Sequence, residues 1–111
     1  MKIEYVNASM LGVKSKKGVV YKVTFLDGLY YIGQTKNLSA RMNTAKRDAM
    51  VRNLSNTYAK RLRTALENGE LLKVEVLAVE DNSKLRRDLE AEFIDLARFS
   101  STSALCLNSN F

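Results

Sequence analysis

The feature that most constrains the fold is a turn. Asp27-Gly28 sits between a β-branched and aromatic run, Val19 to Phe25, and a second run, Leu29 to Gly33. This is the pattern of two antiparallel strands joined by a tight hairpin. Loop length sets the pairing. Side chains alternate with period 2, so a one-residue change moves a whole strand's side chains to the other face. A two-residue loop, Asp27-Gly28, pairs Leu26 with Leu29 and sends Tyr21 and Tyr31 to opposite faces. A three-residue loop, Leu26-Asp27-Gly28, has Gly28 in the left-handed region and pairs Phe25 with Leu29. Tyr21 then faces Gly33, Tyr31 faces Val23, and both phenols share one face, with open space beside the Tyr21 hydroxyl. Strand tyrosines ordinarily serve packing, so the pair gains chemical meaning only from what else converges on it.

The rest of the chain supplies helices around this hairpin. Residues 1–17 carry weak signals, with Ile3 to Val6 a possible short strand and Lys14-Ser15-Lys16-Lys17 a basic loop. Leu38 to Met50 repeats Leu38, Met42, Ala45 and Ala49 at helical spacing behind Asn37, a good N-cap. Asn56 to Asn68 does so again through Tyr58, Leu62, Ala65 and Leu66, and Gly69 suits the stop. Leu72 to Val79 alternates as a third strand, and Lys84 to Phe99 forms a last helix with Leu85, Leu89, Phe93 and Leu96 on its stripe. In the Ser-rich tail, Leu105-Cys106-Leu107-Asn108 can dock again. The order β-β-α-α-β-α predicts an α/β (α+β) domain, a small antiparallel three-stranded sheet flanked by helices. At 111 residues one domain fits, with residues 1–17 as an N-terminal segment and 18–108 as the core.

Composition removes several kinds of chemistry. With 46% hydrophobic and 27% charged residues the chain is expected to fold rather than stay disordered. There is no His and one Cys, Cys106, which excludes an internal disulfide framework, zinc fingers, His-based triads and Cys-His nucleophiles. Any catalysis falls to Tyr, Lys, Arg, Asp or Glu. No apolar run approaches the roughly 20 residues of a membrane span, and Met1-Lys2-Ile3-Glu4-Tyr5 lacks a signal-peptide pattern. The expectation is a cytosolic protein with no membrane partner. Charge is unevenly distributed: residues 1–66 hold 13 of the 18 Lys and Arg and three of the 12 acids, for +10, against −4 over residues 67–111. A basic half of this size is an electrostatic footprint for a polyanion, most often nucleic acid.

Two charged residues stand out against the helical periodicity. At about 100° per residue, Leu85, Leu96, Leu89, Phe93, Ala97 and Ile94 fall along one arc, and Glu90 lies inside it between Ala97 and Ile94. Asp88 and Asp95 fall on the opposite side. A carboxylate on a packed face needs a partner, either a neighbouring Arg or a metal ion. Arg41 lies beside the apolar stripe of its helix, one turn before Ala45. Lys36, Lys46, Arg47, Arg52, Lys60, Arg61 and Arg63 extend a basic tract suited to phosphate contacts or plain surface.

These pieces resemble the GIY-YIG nuclease family. Val19-Val20-Tyr21, preceded by Gly18, is separated by nine residues from Tyr31-Ile32-Gly33, and Gly33 is followed by Thr35, Leu38 and Arg41, two, five and eight residues on. A helical glutamate, Glu90-Ala91-Glu92-Phe93-Ile94, and a closing Leu107-Asn108 complete the set over residues 18–108. The resemblance implies hydrolysis of nucleic-acid phosphodiester bonds with one divalent cation, Mg²⁺ or Mn²⁺. It implies Tyr21 as general base or as the phenol that positions the nucleophile, and Tyr31 as its hydrogen-bonding partner. Arg41 would hold the scissile phosphate, Glu90 would ligate the metal, and Asn108 would buttress the site. The residue types suit the reaction, which needs an activated water, charge neutralisation and leaving-group stabilisation. A phenol is a poor base near pH 7 unless cations lower its pKa, and the clustered Lys and Arg are expected to do so.

Two positions depart from the family pattern. Many members carry His four residues after the helix Arg, where this chain has Ala45, with Tyr58, Lys46 or Lys60 as replacements. The first motif lacks its usual Gly. The absence of a second domain resembles small stand-alone phage endonucleases, whose double-strand cleavage would favour a homodimer or higher oligomer. The expected substrate is DNA. A basic binding module that has lost catalysis and an RNA-directed nuclease remain as alternatives.

Overall fold

The hairpin loop has three residues. The Phe25 N–H donates to the Leu29 carbonyl at 2.8 Å, and Gly28 takes a φ of 89°, which glycine adopts without steric cost. Tyr21 therefore pairs with Gly33 and Val23 with Tyr31, and the phenols share a face. The structure is a computed structural model that describes residues 2–8, 17–51 and 57–108. Its elements are β1 (Lys2–Asn7), β2 (Val19–Thr24), β3 (Tyr30–Thr35), α1 (Leu38–Val51), α2 (Thr57–Asn68), β4 (Leu71–Val79), α3 (Ser83–Arg98) and a short 3₁₀ turn, Ser103–Leu105.

The sheet has four strands, not the three expected. They run antiparallel in the order β1-β4-β2-β3. The extra member is β1, which pairs along β4 from Lys2 opposite Val76 to Asn7 opposite Leu71. The mixed α+β class holds, with three helices. Local capping explains their limits. Asn37 Oδ1 accepts the Ala40 N–H at 3.1 Å at the start of α1, and Asn82 Oδ1 accepts the Leu85 N–H at 3.0 Å at the start of α3. Gly69, at φ 62°, ends α2. The expected α2 start at Asn56 and the basic loop at Lys14, Ser15 and Lys16 lie outside the described residues.

Both faces of the sheet are covered. Leu38, Met42 and Ala49 of α1 with Tyr58, Leu62 and Ala65 of α2 pack on Tyr21, Val23, Leu72 and Val74. On the other face, Ile94 and Ala97 of α3 pack on Val20, Tyr30 and Ile32. Strand β2 is thus buried on both sides, and Val19-Val20-Tyr21 reads as a continuous rather than an alternating apolar run. Helix α3 is rotated from the expected stripe. Leu85 is 51% and Leu96 is 68% exposed, and the buried positions are Arg86, Ile94 and Ala97, with Leu89 and Phe93 partly buried. The inward arc therefore centres on Arg86 and Glu90. Leu96 and Phe99 line a shallow outer recess with Glu92 and Asp95.

Strand β3 is an edge strand, and its outward backbone groups are met by the C-terminal segment. The Leu107 N–H donates to the Tyr30 carbonyl at 2.7 Å, and Tyr30 bridges Cys106 in parallel. Asn108, buried, accepts the Ile32 N–H at 3.0 Å and donates Nδ2 to the Ile32 carbonyl at 2.7 Å. Its carboxamide stands in for a neighbouring strand. Among the described residues no helix is long and apolar enough to cross a membrane. Replacing Asn108 by Ala strands both Ile32 groups, and the expected loss is about 1–3 kcal/mol of stability. Urea unfolding checks this as a lower midpoint at unchanged slope.

Candidate active site

The site begins where Tyr21 of β2 pairs with Gly33 of β3, which has no side chain. Tyr21 is 2% exposed and lies across the backbone of Gly33, where a Cβ would stand 2.6 Å from its Oη and 2.9 Å from the Tyr31 ring. The space expected beside the hydroxyl is therefore filled by the phenol itself. The two rings stand 6.4 Å apart, tilted at 52°. Arg41, in the first turn of α1, brings its guanidinium close enough to both phenol oxygens for polar interaction with each. Burial opposes its charge, but the two phenols outweigh that and hold its pKa above the ordinary value. Much of the Arg41 side chain still faces solvent.

Glu90 reaches this cluster from the opposite layer. It sits half-buried on α3 near the outer edge of β3, where the Gln34 backbone N–H is near enough to favour its charged form. Burial raises its pKa above the usual carboxylate value, partly offset by that N–H. Among the described residues no Lys or Arg lies within ion-pair distance of Glu90. The salt-bridge alternative therefore has no partner there. The carboxylate is near enough to Tyr21 for its charge to raise the phenol's pKa. Burial is the largest cause of that rise, Tyr31 adds to it, and Arg41 offsets only part. The cations thus fail to bring the Tyr21 phenol down as expected, and it keeps its proton at neutral pH.

Of Tyr58, Lys46 and Lys60, the structure brings Tyr58 to the cluster. Its ring stacks on Tyr31 at 4.0 Å and 8°, and burial pushes its pKa far up. Lys60 is exposed and Lys46 half-buried on the helices, and Ala45 packs against the core. The fifth site residue, Asn108, grips β3 at Ile32, between Tyr31 and Gly33.

The basic tract divides by what each side chain touches. Lys36 and Arg47 are exposed. Arg63 is exposed and 3.7 Å from Glu67 one turn on. Arg61 departs from the phosphate-contact expectation. Its guanidinium bonds Glu70 at 2.6 and 3.2 Å and Asp27 at 3.2 Å, over the Phe25 ring. These contacts engage its donors in tying α2 to the hairpin loop. Arg52 lies outside the described residues. Two residues around Glu90 escaped the sequence reading, Gln34 and Arg86. Arg86 left a usable signal: it stands one turn before Glu90, on the same inward arc of α3.

No group of three or more His, Cys, Asp or Glu able to hold a metal occurs among the described residues. The donor set at the site is one carboxylate without a cation. That suits Mg²⁺ or Mn²⁺, which takes one or two carboxylates and completes its shell with water and substrate phosphate. Comparison of the chain with family models, curated proteins and solved structures gives no match.

The Glu90 environment has a stability consequence. A carboxyl whose folded pKa exceeds its unfolded value stabilises the fold at acid pH, and that contribution is lost as pH rises through the folded pKa. In the absence of metal, Glu90→Gln should raise Tm at neutral pH by a few degrees, an order-of-magnitude figure. The difference should vanish on acidification through the ordinary Glu range. Thermal scans of both proteins in EDTA across that range check it, and a neutral-pH loss would contradict it.

Proposed function

We propose that this chain is a divalent-metal-dependent DNA endonuclease of the GIY-YIG kind, similar to the small stand-alone phage enzymes, with its fold a member of that class. The arrangement that supports the reading is the Arg41 guanidinium beside the Tyr21 and Tyr31 phenols, with Glu90, which has no ion-pair partner among the described residues, acting on Tyr21 from the other layer. A binding module has no use for an unpaired carboxylate beside phosphates, where its charge repels DNA unless a cation intervenes.

The groups divide the work of phosphodiester hydrolysis. Arg41 has donors beyond those spent on the phenols and an exposed flank, and clamps the scissile phosphate as charge develops. Tyr21, protonated at neutral pH, acts as a positioned hydroxyl that orients the attacking water. Its partner Tyr31 is fixed by stacking on Tyr58. Glu90 would hold Mg²⁺ or Mn²⁺, which when bound supplies Lewis-acid stabilisation of the phosphate and leaving oxygen. Asn108 keeps β3 straight beneath the phenols. Lys36, just before α1, with Lys46, Arg47, Lys60 and Arg63 on α1 and α2, supply phosphate contacts, and Arg52 belongs to the same tract by sequence. One site cuts one strand, so double-strand cleavage calls for a second copy of the chain.

The test is nicking of supercoiled plasmid with Mg²⁺ and EDTA controls. Glu90→Gln should abolish metal-dependent cleavage while leaving or tightening DNA binding. Wild-type cleavage rates in that variant, or no cleavage by wild type, contradict the proposal. Tyr21→Phe and Arg41→Ala should each slow cleavage by about 10²-fold or more. DNA affinity should fall steeply with salt, as expected of several phosphate contacts. A flat dependence in a filter-binding or fluorescence titration would remove the basic tract from the interface.

A further inference from the structure

Arg86 is 5% exposed, a depth at which a guanidinium ordinarily meets a carboxylate. Among the described residues no carboxylate lies within ion-pair distance of it. Its Nε donates to Gln34 Oε1 at 2.8 Å, and its Nη1 donates to the Glu80 and Asp81 carbonyls, each at 3.1 Å. Gly18 closes over it, since a Cβ there would collide with Arg86 Nη1 and the Glu80 carbonyl oxygen. The Gly18 N–H donates to Asp81 Oδ1 at 2.8 Å, and its carbonyl accepts the Glu80 N–H at 2.8 Å. One guanidinium thus ties together the entry to β2, the β4–α3 connection, β3 and the base of α3.

An apolar side chain could fill this volume without desolvating a cation. A planar fork does what that side chain cannot: it grips a carboxamide and two carbonyls at once. The carboxamide belongs to Gln34, whose backbone N–H lies near enough to the Glu90 carboxylate to favour its charged form. Glu90 itself follows Arg86 by one helical turn. We propose that Arg86 is a positioning residue for Glu90. By locking Gln34 of β3 against α3, it holds the carboxylate beside Tyr21 in the pose that receives a divalent cation. Arg86 touches neither cation nor substrate. This rests on the metal-dependent nuclease reading, and it predicts that Arg86 sets metal affinity through Gln34.

Calorimetric titration of the full chain with Mn²⁺, without nucleic acid, tests it. Arg86→Met should weaken Mn²⁺ binding by about tenfold or more, as loss of an outer-shell partner does. Gln34→Met, which keeps the backbone N–H, should weaken it comparably. The double variant should bind no worse than the weaker single, because the two act as one unit. Ile94→Val, on the same buried face of α3, should leave Mn²⁺ affinity unchanged. If Arg86→Met does not fold by far-UV circular dichroism, Gln34→Met carries the test by the same criterion. Wild type that binds no Mn²⁺, or Glu90→Gln that binds as tightly, overturns the underlying reading together with the proposal. Glu90-dependent binding that is undiminished in the folded Arg86 and Gln34 variants, or equally weakened in Ile94→Val, overturns the role of Arg86 alone.

Discussion

The site depends on one missing methyl group. Tyr21 lies flat across β3 only because Gly33 has no Cβ, which would stand 2.6 Å from the phenol oxygen. That contact is closer than side chains tolerate in a packed interior. An alanine at position 33 would push the ring off the strand, away from Arg41 and from the edge where Glu90 waits. The hairpin register that sets Tyr21 opposite Gly33 is therefore as much a part of the site as any polar group, and Gly28, in the left-handed region, fixes that register.

The second constraint is that β3 is an edge. Groups from opposite faces of a sheet are normally separated by its thickness. Here the phenols and Arg41 belong to the α1/α2 layer and Glu90 to the α3 layer, and they meet where the sheet ends. An open edge exposes unpaired backbone groups, and the outward groups of β3 at Tyr30 and Ile32 have polar partners from the other end of the chain. Tyr30 meets the Leu107 N–H and Ile32 meets the Asn108 carboxamide, while the Gln34 N–H lies near the Glu90 carboxylate. Edge protection and site construction use the same bonds. The electrostatics follow from this placement. Glu90 is half-buried without a cation, and Tyr21 is deep enough that Arg41 cannot bring its proton within reach of neutral pH.

What was legible in the sequence was local. The hairpin parity, the Asn37 cap, the Gly69 stop and the alternation of β4 each arise from a few adjacent residues, and their backbone preferences survive folding. The fourth strand was legible only as a possible short strand at Ile3 to Val6, and its place in the sheet was not, because β1 is defined by pairing with β4 some seventy residues away. The α3 stripe misled for a related reason. Hydrophobic periodicity selected Leu85 and Leu96, both exposed. The true inward arc carries two charged residues, Arg86 and Glu90, whose partners are carbonyls, a carboxamide and an N–H on other segments. Arg61 shows the reverse case. Charge counting placed it in a phosphate-binding tract, while Asp27 and Glu70 engage it in the fold. Of Tyr58, Lys46 and Lys60, spacing could not say which lies beside the two phenols, and the ring of Tyr58 stacks on Tyr31.

Anomalous diffraction from Mn²⁺-soaked crystals, recorded at the manganese edge, bears most directly on whether these groups form one metal-dependent centre. The account predicts a peak bound to the Glu90 carboxylate on the side facing Tyr21 and Arg41, at the edge of β3. No peak at Glu90, with manganese only at surface acids such as Glu92 and Asp95, would contradict it.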